Sequence, residues 1–218
     1  MDRTRETYRR LHDRYGPQGW WPAESPFEVI VGALLMQQTT WARVEEAIRR
    51  LREAGLLDVR ALAAAPVGTI RSHVRVAGLH RTKPARLKAF CRHLLEAADG
   101  DLATYFDRPT AEVRAGLLAQ DGVGPETADS ILLYAGGLPS FVVDAYTVRI
   151  GSRMGILSTD AYEDVQRIFE TRVPRDVGTY REFHALLVAH AKASCRPRPR
   201  CDGCVLRDLC DTGRGRKG

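Results

Sequence analysis

Apolar residues recur every three to four positions along most of the chain, and alternation of apolar and polar residues never persists beyond a few positions. This spacing matches the period of an α-helix rather than that of a half-buried strand. The pattern therefore predicts an all-α protein. The first predicted helix covers residues 4–15 and ends where Gly16 and Pro17 interrupt the pattern.

Helix start signals divide the segment that follows. Ser25 precedes Pro26, and Glu28 lies three residues after the serine. A serine and a glutamate at this spacing satisfy the free N–H groups of a first helical turn, where a proline is also tolerated. This helix is predicted to run to about Gln37. Further helices are predicted from a cap at Thr40 to about Gly55, and at 59–65, 69–75 and 83–97.

The composition is that of a folded protein with a basic surface. Of 218 residues, 44% are hydrophobic and 28% charged, which is enough for one large domain or two small ones. The longest apolar run, Val29 to Met36, is far shorter than the roughly 20 residues of a membrane span, and the N-terminus lacks the apolar core of a signal peptide. We therefore expect a soluble cytoplasmic protein with no membrane partner. The net charge of +6 makes nucleic acid the first partner to consider, although charge alone does not decide this.

Four of the five cysteines lie close together near the end of the chain. Cys195, Cys201, Cys204 and Cys210 follow the spacing C-x5-C-x2-C-x5-C. In an intracellular protein, such a group indicates a metal centre rather than disulfides. Zinc ribbons usually have two C-x2-C pairs, whereas this sequence has one pair with longer arms, and four cysteines also suit a [4Fe-4S] cluster. The spacing alone leaves both metals open.

A glycine turn separates two predicted helices in the middle of the chain. A helix that Thr110 can cap leads into Gly122, Val123 and Gly124, and Pro125 opens the next helix. Glycine permits a positive φ and a close approach of the backbone, and the N–H groups at a helix start can bind a phosphate. This hairpin therefore suits DNA-backbone binding, with an ordinary tight turn between packed helices as the alternative.

Several segments resemble the endonuclease III superfamily of helix-hairpin-helix DNA glycosylases and occur in the order found in that family. They are Pro26–Glu28, Leu34–Gln38, Val76–Leu79, Gly122–Ala128, Val142–Ile150 and the cysteine group. The resemblance implies a six-helix barrel domain over 22–135 and a second helical domain made of 1–21 and 136–218. It also implies a DNA groove between the domains, with double-stranded DNA containing damaged bases as the partner. A monomer that acts at the nucleoid is the expected form.

The resemblance assigns the catalytic carboxylate to Asp144. In this family such a carboxylate assists cleavage of the N-glycosidic bond, where it can stabilise the developing positive charge on the sugar or position the attacking water. A helix N-cap is the alternative role, and the two roles can coexist. Bifunctional members carry a nucleophilic lysine at the position of Glu126. A carboxylate cannot form an imine, so the sequence predicts a monofunctional glycosylase or a member without activity.

The tryptophans narrow the resemblance to one branch of the family. Trp20, Trp21 and Trp41, together with Glu126, resemble the 3-methyladenine DNA glycosylase III branch, in which aromatic residues sandwich the flipped base. Alkylated purine nucleosides are cationic, and a tryptophan face attracts a cation while it stacks on a base. The alternative is that these residues fill core space, Trp21 above all. Tyr146 either borders the pocket or packs inside.

The same resemblance assigns further DNA contacts and chooses the metal. Gln38 matches the wedge glutamine that fills the gap left by the flipped base, with an ordinary surface glutamine as the alternative. Arg196, Arg198 and Arg200 lie where the family presents basic groups to phosphate, although they could be a solvated charge run. The resemblance favours a [4Fe-4S] cluster on the four cysteines, with one residue fewer in the first gap than is usual.

The leading hypothesis is therefore a monofunctional DNA glycosylase of base excision repair that removes alkylated purines such as 3-methyladenine. One alternative is the same fold acting on another lesion, namely an oxidised pyrimidine, uracil or mismatched thymine. The other alternative is a non-catalytic DNA-binding homologue.

Overall fold

Residues 2–79 and 81–215 are described by a computed structural model, and every regular element in these two ranges is helical. Position 1, position 80 and positions 216–218, which belong to the predicted domain segments, lie outside the described residues. The predicted all-α class is thus confirmed. The helices of the described residues are α1 (Arg3–Tyr15), α2 (Pro26–Leu35), α3 (Trp41–Glu53), α4 (Val59–Ala64), α5 (Val67–Val74), α6 (Lys83–Ala98), α7 (Leu102–Phe106), α8 (Thr110–Leu118), α9 (Pro125–Ser130), α10 (Ala145–Arg153), α11 (Tyr162–Arg172) and α12 (Val177–Ala193).

Two short irregular turns extend this set. A 3₁₀ turn, Arg75–Ala77, follows α5, and a π-helical turn, Ile131–Ala135, continues α9. None of the helices within the described ranges has the length and apolar composition needed to cross a membrane.

The chain divides into two compact units. The central unit is Trp21–Leu138, and the terminal unit combines Met1–Trp20 with Pro139–Gly218. The sequence predicts 22–135 for the central domain, and 1–21 with 136–218 for the second domain.

The core of the central unit forms around α2. Every residue of this helix from Phe27 to Leu35 is buried, and all of them except Glu28 are apolar or glycine. The Glu28 carboxylate pairs with the Arg52 guanidinium at 2.7 Å. It packs against the π-helical turn, α3 and α6, while α4 packs on α6 and α5 on α3. Each large apolar side chain buried in this way contributes about 1.5–3 kcal/mol.

Several predicted helix signals differ from the structure. Ser25 Oγ accepts from Glu28 N at 3.2 Å, as predicted, but the Glu28 carboxylate accepts from Glu24 N rather than from the serine. Thr40 is the N-cap residue of α3, as predicted, but its side chain makes no cap hydrogen bond. Thr110 is not the cap, because it is the first residue of α8 and Pro109 holds the N-cap position. The helix predicted to reach Gln37 ends at Leu35.

In the terminal unit, the first helix binds the last segment of the chain. Helix α12 packs against α1 and α10, and Leu11 and Phe183 are fully buried there. The Arg3 guanidinium pairs with Asp211 at 3.2 Å, and Arg10 Nη2 donates to Asp208 at 3.0 Å. These pairs hold the cysteine segment against α1, which explains why residues from both chain ends form one unit.

Candidate active site and DNA interface

Asp144 caps α10, and its two carboxylate oxygens face different partners. Oδ1 accepts from Thr147 N at 2.7 Å and from Thr147 Oγ1 at 2.9 Å, so the predicted N-cap is confirmed. Oδ2 lies 3.6 Å from His184 Nε2. One oxygen therefore caps the helix, while the other faces the His184 imidazole.

The surroundings of Asp144 keep its carboxyl group ionised. Its side chain is 12% exposed, and this burial alone raises its pKa. The contact with His184 and the two hydrogen bonds from Thr147 outweigh burial, so the pKa of Asp144 lies below its usual value. A buried carboxylate of this kind is a group able to stabilise positive charge that develops nearby.

His184 is a site residue that the sequence reasoning missed. It lies in the middle of α12, is 5% exposed, and contacts Asp144 on one side. The Trp20 ring stacks on the His184 ring with 5.5 Å between centroids and 16° between planes. The Lys192 ammonium lies 6.0 Å from the centroid of Trp20. The terminal unit thus gathers a carboxylate, an imidazole and an indole in one place.

The other two tryptophans pack together in the central unit. The rings of Trp21 and Trp41 meet edge to face at 5.4 Å, and the ring of Tyr134 lies 5.4 Å from Trp21. Trp21 also lies against Gly32, where an added Cβ would approach the indole to 3.3 Å. Trp21 therefore fills core space as well as bordering Trp41, and both indoles are half-buried.

The glycine hairpin has the predicted form between α8 and α9. Gly122 has φ +79, and an added Cβ there would lie 2.5 Å from the Arg86 guanidinium, so the position requires glycine. Val123 is buried and anchors the turn, whereas Gly124 is exposed at the start of α9. Glu126 is exposed in the first turn of that helix. The turn thus presents its backbone to the outside, as phosphate binding requires.

The remaining predicted DNA contacts lie on exposed loops. Gln38 is exposed between α2 and α3, with a φ of 52 that is uncommon for a residue other than glycine. Arg196, Arg198 and Arg200 are all exposed, but Arg196 Nε donates to the Lys192 carbonyl at 2.8 Å. This arginine therefore also supports the loop itself.

Tyr146 lies in the first turn of α10 and is half-buried. The Arg149 guanidinium lies 5.0 Å from the centroid of its ring, and Arg149 Nε donates to the Cys195 carbonyl at 2.9 Å. Tyr146 thus packs against the arginine that holds the start of the cysteine segment.

The four predicted metal ligands line one cavity in the terminal unit. The cavity is lined by the four cysteines and by apolar side chains that include Ile150, Met154 and Leu206. Burial, together with the nearby thiols, raises the pKa of Cys204 and Cys210. No group of three or more His, Cys, Asp or Glu side chains in the described part of the chain is arranged around a single metal ion. Four thiols around one apolar cavity are nevertheless the donor set that fits an iron–sulfur cluster.

The cysteine segment is fastened to the C-terminal end of α10. Arg153 donates to Cys195 Sγ at 3.3 Å and to the Arg196 and Pro197 carbonyls at 2.6 and 2.8 Å. The Arg153 carbonyl accepts from Cys210 Sγ at 3.1 Å. Helix α10 therefore has Asp144 at one end and the cysteine segment at the other.

Comparison with known proteins identifies the class to which this fold and site belong. The family model described as "HhH-GPD superfamily base excision DNA repair protein" matches residues 31–175. The chain belongs to this superfamily, and the predicted function as a DNA glycosylase of base excision repair is confirmed at that level.

Individual relatives agree with this assignment. The chain is 42% identical over 205 residues to a putative DNA repair glycosylase of Methanocaldococcus jannaschii, covering 93% of each chain. It is 30% identical over 188 residues to endonuclease III of Escherichia coli, covering 86% of this chain and 84% of that protein.

Solved structures share the fold at lower sequence identity. A non-covalent endonuclease III–DNA complex matches with a TM-score of 0.83 and 23% identity, covering 99% of this chain and 98% of that one. The Helicobacter pylori 3-methyladenine DNA glycosylase bound to 1,N6-ethenoadenine matches with a TM-score of 0.77 and 24% identity, covering 88% and 98%. A thermostable thymine-DNA glycosylase also shares the fold, with a TM-score of 0.78 and 20% identity over 98% and 97% of the two chains. The fold is therefore common to enzymes named for different lesions.

Proposed function

We propose that this glycosylase is monofunctional and excises purines alkylated at N3 or N7, such as 3-methyladenine, leaving an abasic site. The observation that carries the proposal is the indole pair of the central unit, where the rings of Trp21 and Trp41 meet edge to face and the ring of Tyr134 lies beside Trp21. Such indole faces suit a cationic base, because they stack on it and attract its charge. The enzyme acts as a monomer on nucleoid DNA.

Asp144 performs the bond cleavage in this proposal. As the base departs, the sugar gains positive charge, and the ionised carboxylate stabilises that charge or orients the attacking water. Its hydrogen bonds from Thr147 hold it in place. An alkylated base is already a good leaving group, so one fixed carboxylate is sufficient.

The absence of lyase chemistry follows from Glu126. A covalent imine needs an amine at the sugar, and the residue in the first turn of α9 is a carboxylate. Lys83 supplies no substitute, because its ammonium is buried and donates to backbone carbonyls.

Cys195, Cys201, Cys204 and Cys210 are proposed to hold a [4Fe-4S] cluster. The cluster would supply a structural cross-link among four points of the last segment. The loop between the first two ligands carries Arg198 and Arg200, so holding its ends in place keeps these side chains positioned for phosphate.

The first test uses the purified protein and methylated duplex DNA. We expect released 3-methyladenine by mass spectrometry and strand breaks only after alkali, with no covalent adduct trapped by borohydride. A borohydride-trapped adduct would contradict the monofunctional mechanism. Release only from duplexes containing uracil, mismatched thymine or an oxidised pyrimidine would assign another lesion, and no release from any of them would favour a non-catalytic DNA-binding protein.

A second test concerns the base pocket. Replacing Trp41 with alanine is expected to weaken binding of alkylated DNA by about 1–3 kcal/mol, because one stacking face is lost. The control is Trp41→Phe, which retains an aromatic face. Equal affinity of the alanine variant and the wild type, measured by fluorescence anisotropy, would return Trp41 to a packing role.

A further inference from the structure

Lys83 is a buried lysine whose ammonium is held by backbone carbonyls. It opens α6, is 1% exposed, and its ammonium donates to the Gln37 carbonyl at 2.8 Å and to the Ala77 carbonyl at 2.7 Å. Burial lowers its pKa to about 8. Burying a cation costs free energy unless the cation is well hydrogen-bonded. The two charged hydrogen bonds from the Lys83 ammonium offset that cost, which indicates that they have a specific role at this position.

The two carbonyls belong to two different surface turns. Gln37 precedes Gln38, which is exposed with φ 52, in the turn between α2 and α3. Ala77 precedes Gly78 and Leu79, and Leu79 is 39% exposed with φ 45. A non-glycine residue in the left-handed region costs free energy and persists only where surrounding contacts hold it. Both turns thus present a strained, exposed side chain from a backbone fixed by the same ammonium.

The glycine hairpin is attached to the same group of contacts. The Gln37 side-chain amide donates to the Gly122 carbonyl at 2.6 Å, and the Arg86 guanidinium pairs with Asp121 at 3.2 Å. All of these residues lie in the central unit. Lys83 therefore binds two turns directly: the turn that carries Gln38, here called the Gln38 turn, and the turn that carries Leu79, here called the Leu79 turn. It is linked to the glycine hairpin through Gln37.

We propose that Lys83 is a positioning residue for base extrusion. It fixes the Gln38 turn and the Leu79 turn relative to each other and to the hairpin, so that both exposed side chains enter the duplex where the hairpin grips the backbone. This inference rests on the assignment of Gln38 as the residue that fills the gap, and it does not depend on which lesion is excised.

The test uses a duplex with a tetrahydrofuran abasic analogue opposite 2-aminopurine, whose fluorescence reports occupation of the gap. The variant is Lys83→Met, and the matched control is Lys88→Met. Lys88 lies on the same helix and also donates to two carbonyls, those of Ala64 and Ala65 at 3.2 and 2.6 Å, but these lie at the C-terminal end of α4. The two variants thus remove the same kind of contact from different turns.

We expect Lys83→Met to bind the abasic-analogue duplex about tenfold or more weakly, the loss typical of a hydrogen bond to a charged group. Its 2-aminopurine signal at saturating protein should also fall, while its binding to undamaged duplex changes much less. The Lys88→Met variant should resemble the wild type in all three measurements. A merely structural role would weaken both duplexes equally and leave the saturating signal unchanged, and that result overturns the proposal.

A second variant keeps the test usable if Lys83→Met does not fold. Lys83→Gln retains amide donors for one carbonyl but is too short to bridge both turns, so the same loss of signal is expected. If the wild-type protein leaves the 2-aminopurine fluorescence unchanged, Gln38 does not fill the gap and the inference is overturned. Because the analogue carries no base, failure here is distinguishable from failure to release alkylated purines.

Discussion

Replacing Asp144 with asparagine is expected to lower the rate of base excision by about 10²–10³-fold, the loss typical of removing one group that stabilises transition-state charge. Asparagine and aspartate are similarly good N-caps, and the amide oxygen can still accept from Thr147 N. The substitution therefore removes the charge while leaving the start of α10 in place. Single-turnover excision from methylated duplex DNA measures the effect, with affinity for the duplex expected to stay within about tenfold, or 1.4 kcal/mol.

The chain offers a matched control for this experiment. Asp176 caps α12 through the same two contacts, accepting from Thr179 N at 2.6 Å and from Thr179 Oγ1 at 2.9 Å. Asp176→Asn should leave excision and the thermal midpoint unchanged. If Asp144→Asn excises bases at the wild-type rate, or if both variants lose activity equally, the catalytic assignment of Asp144 fails.

Features that depend on neighbouring residues could be predicted from the sequence. The Asp144 cap joins residues three positions apart, and the hairpin is a single turn whose glycines reveal its conformation. The cysteine spacing likewise identifies a group that lines one cavity. In each case the physical cause lies within one short segment, so the pattern of residues contains it.

Features that depend on packing could not be predicted in this way. His184 approaches Asp144 only because α12 packs against α10, and no local pattern distinguishes it from the other histidines of the chain. The joining of the two chain ends depends on the pairs from Arg3 and Arg10, which residue patterns alone do not reveal. The apolar pattern also does not predict where α7, α11 and α12 begin and end.

Lys83 shows the same limit for charge patterns. It lies in a basic stretch with Arg81, Arg86 and Lys88. Charge runs of this kind are usually solvated, so composition alone predicts exposed cations here. Packing instead buries it against two carbonyls, while Arg86 pairs with Asp121. The basic charge of the chain therefore overstates the number of side chains free to bind DNA phosphate.

Replacing Cys204 with serine is expected to remove most of the bound iron and to destabilise the terminal unit. Without one of four thiolates the proposed cluster is lost, and the free energy of metal binding that supports the folded loop is lost with it. The effect should reach the active site, because the cysteine segment is fastened to α10, whose nine residues span about 14 Å up to the Asp144 cap. Base excision and the denaturant midpoint should therefore fall together.

The matched control is Cys91→Ala, which changes a buried cysteine of the central unit that lies outside the cavity. Its iron content and visible absorbance should equal those of the wild type, even though a small cavity in the core lowers its stability slightly. Iron and zinc are measured per chain by elemental analysis of protein purified without oxygen. About four iron atoms in the wild type and few in Cys204→Ser support the cluster, because each thiolate binds a different iron. One zinc ion per wild-type chain, or unchanged iron in the serine variant, would contradict it.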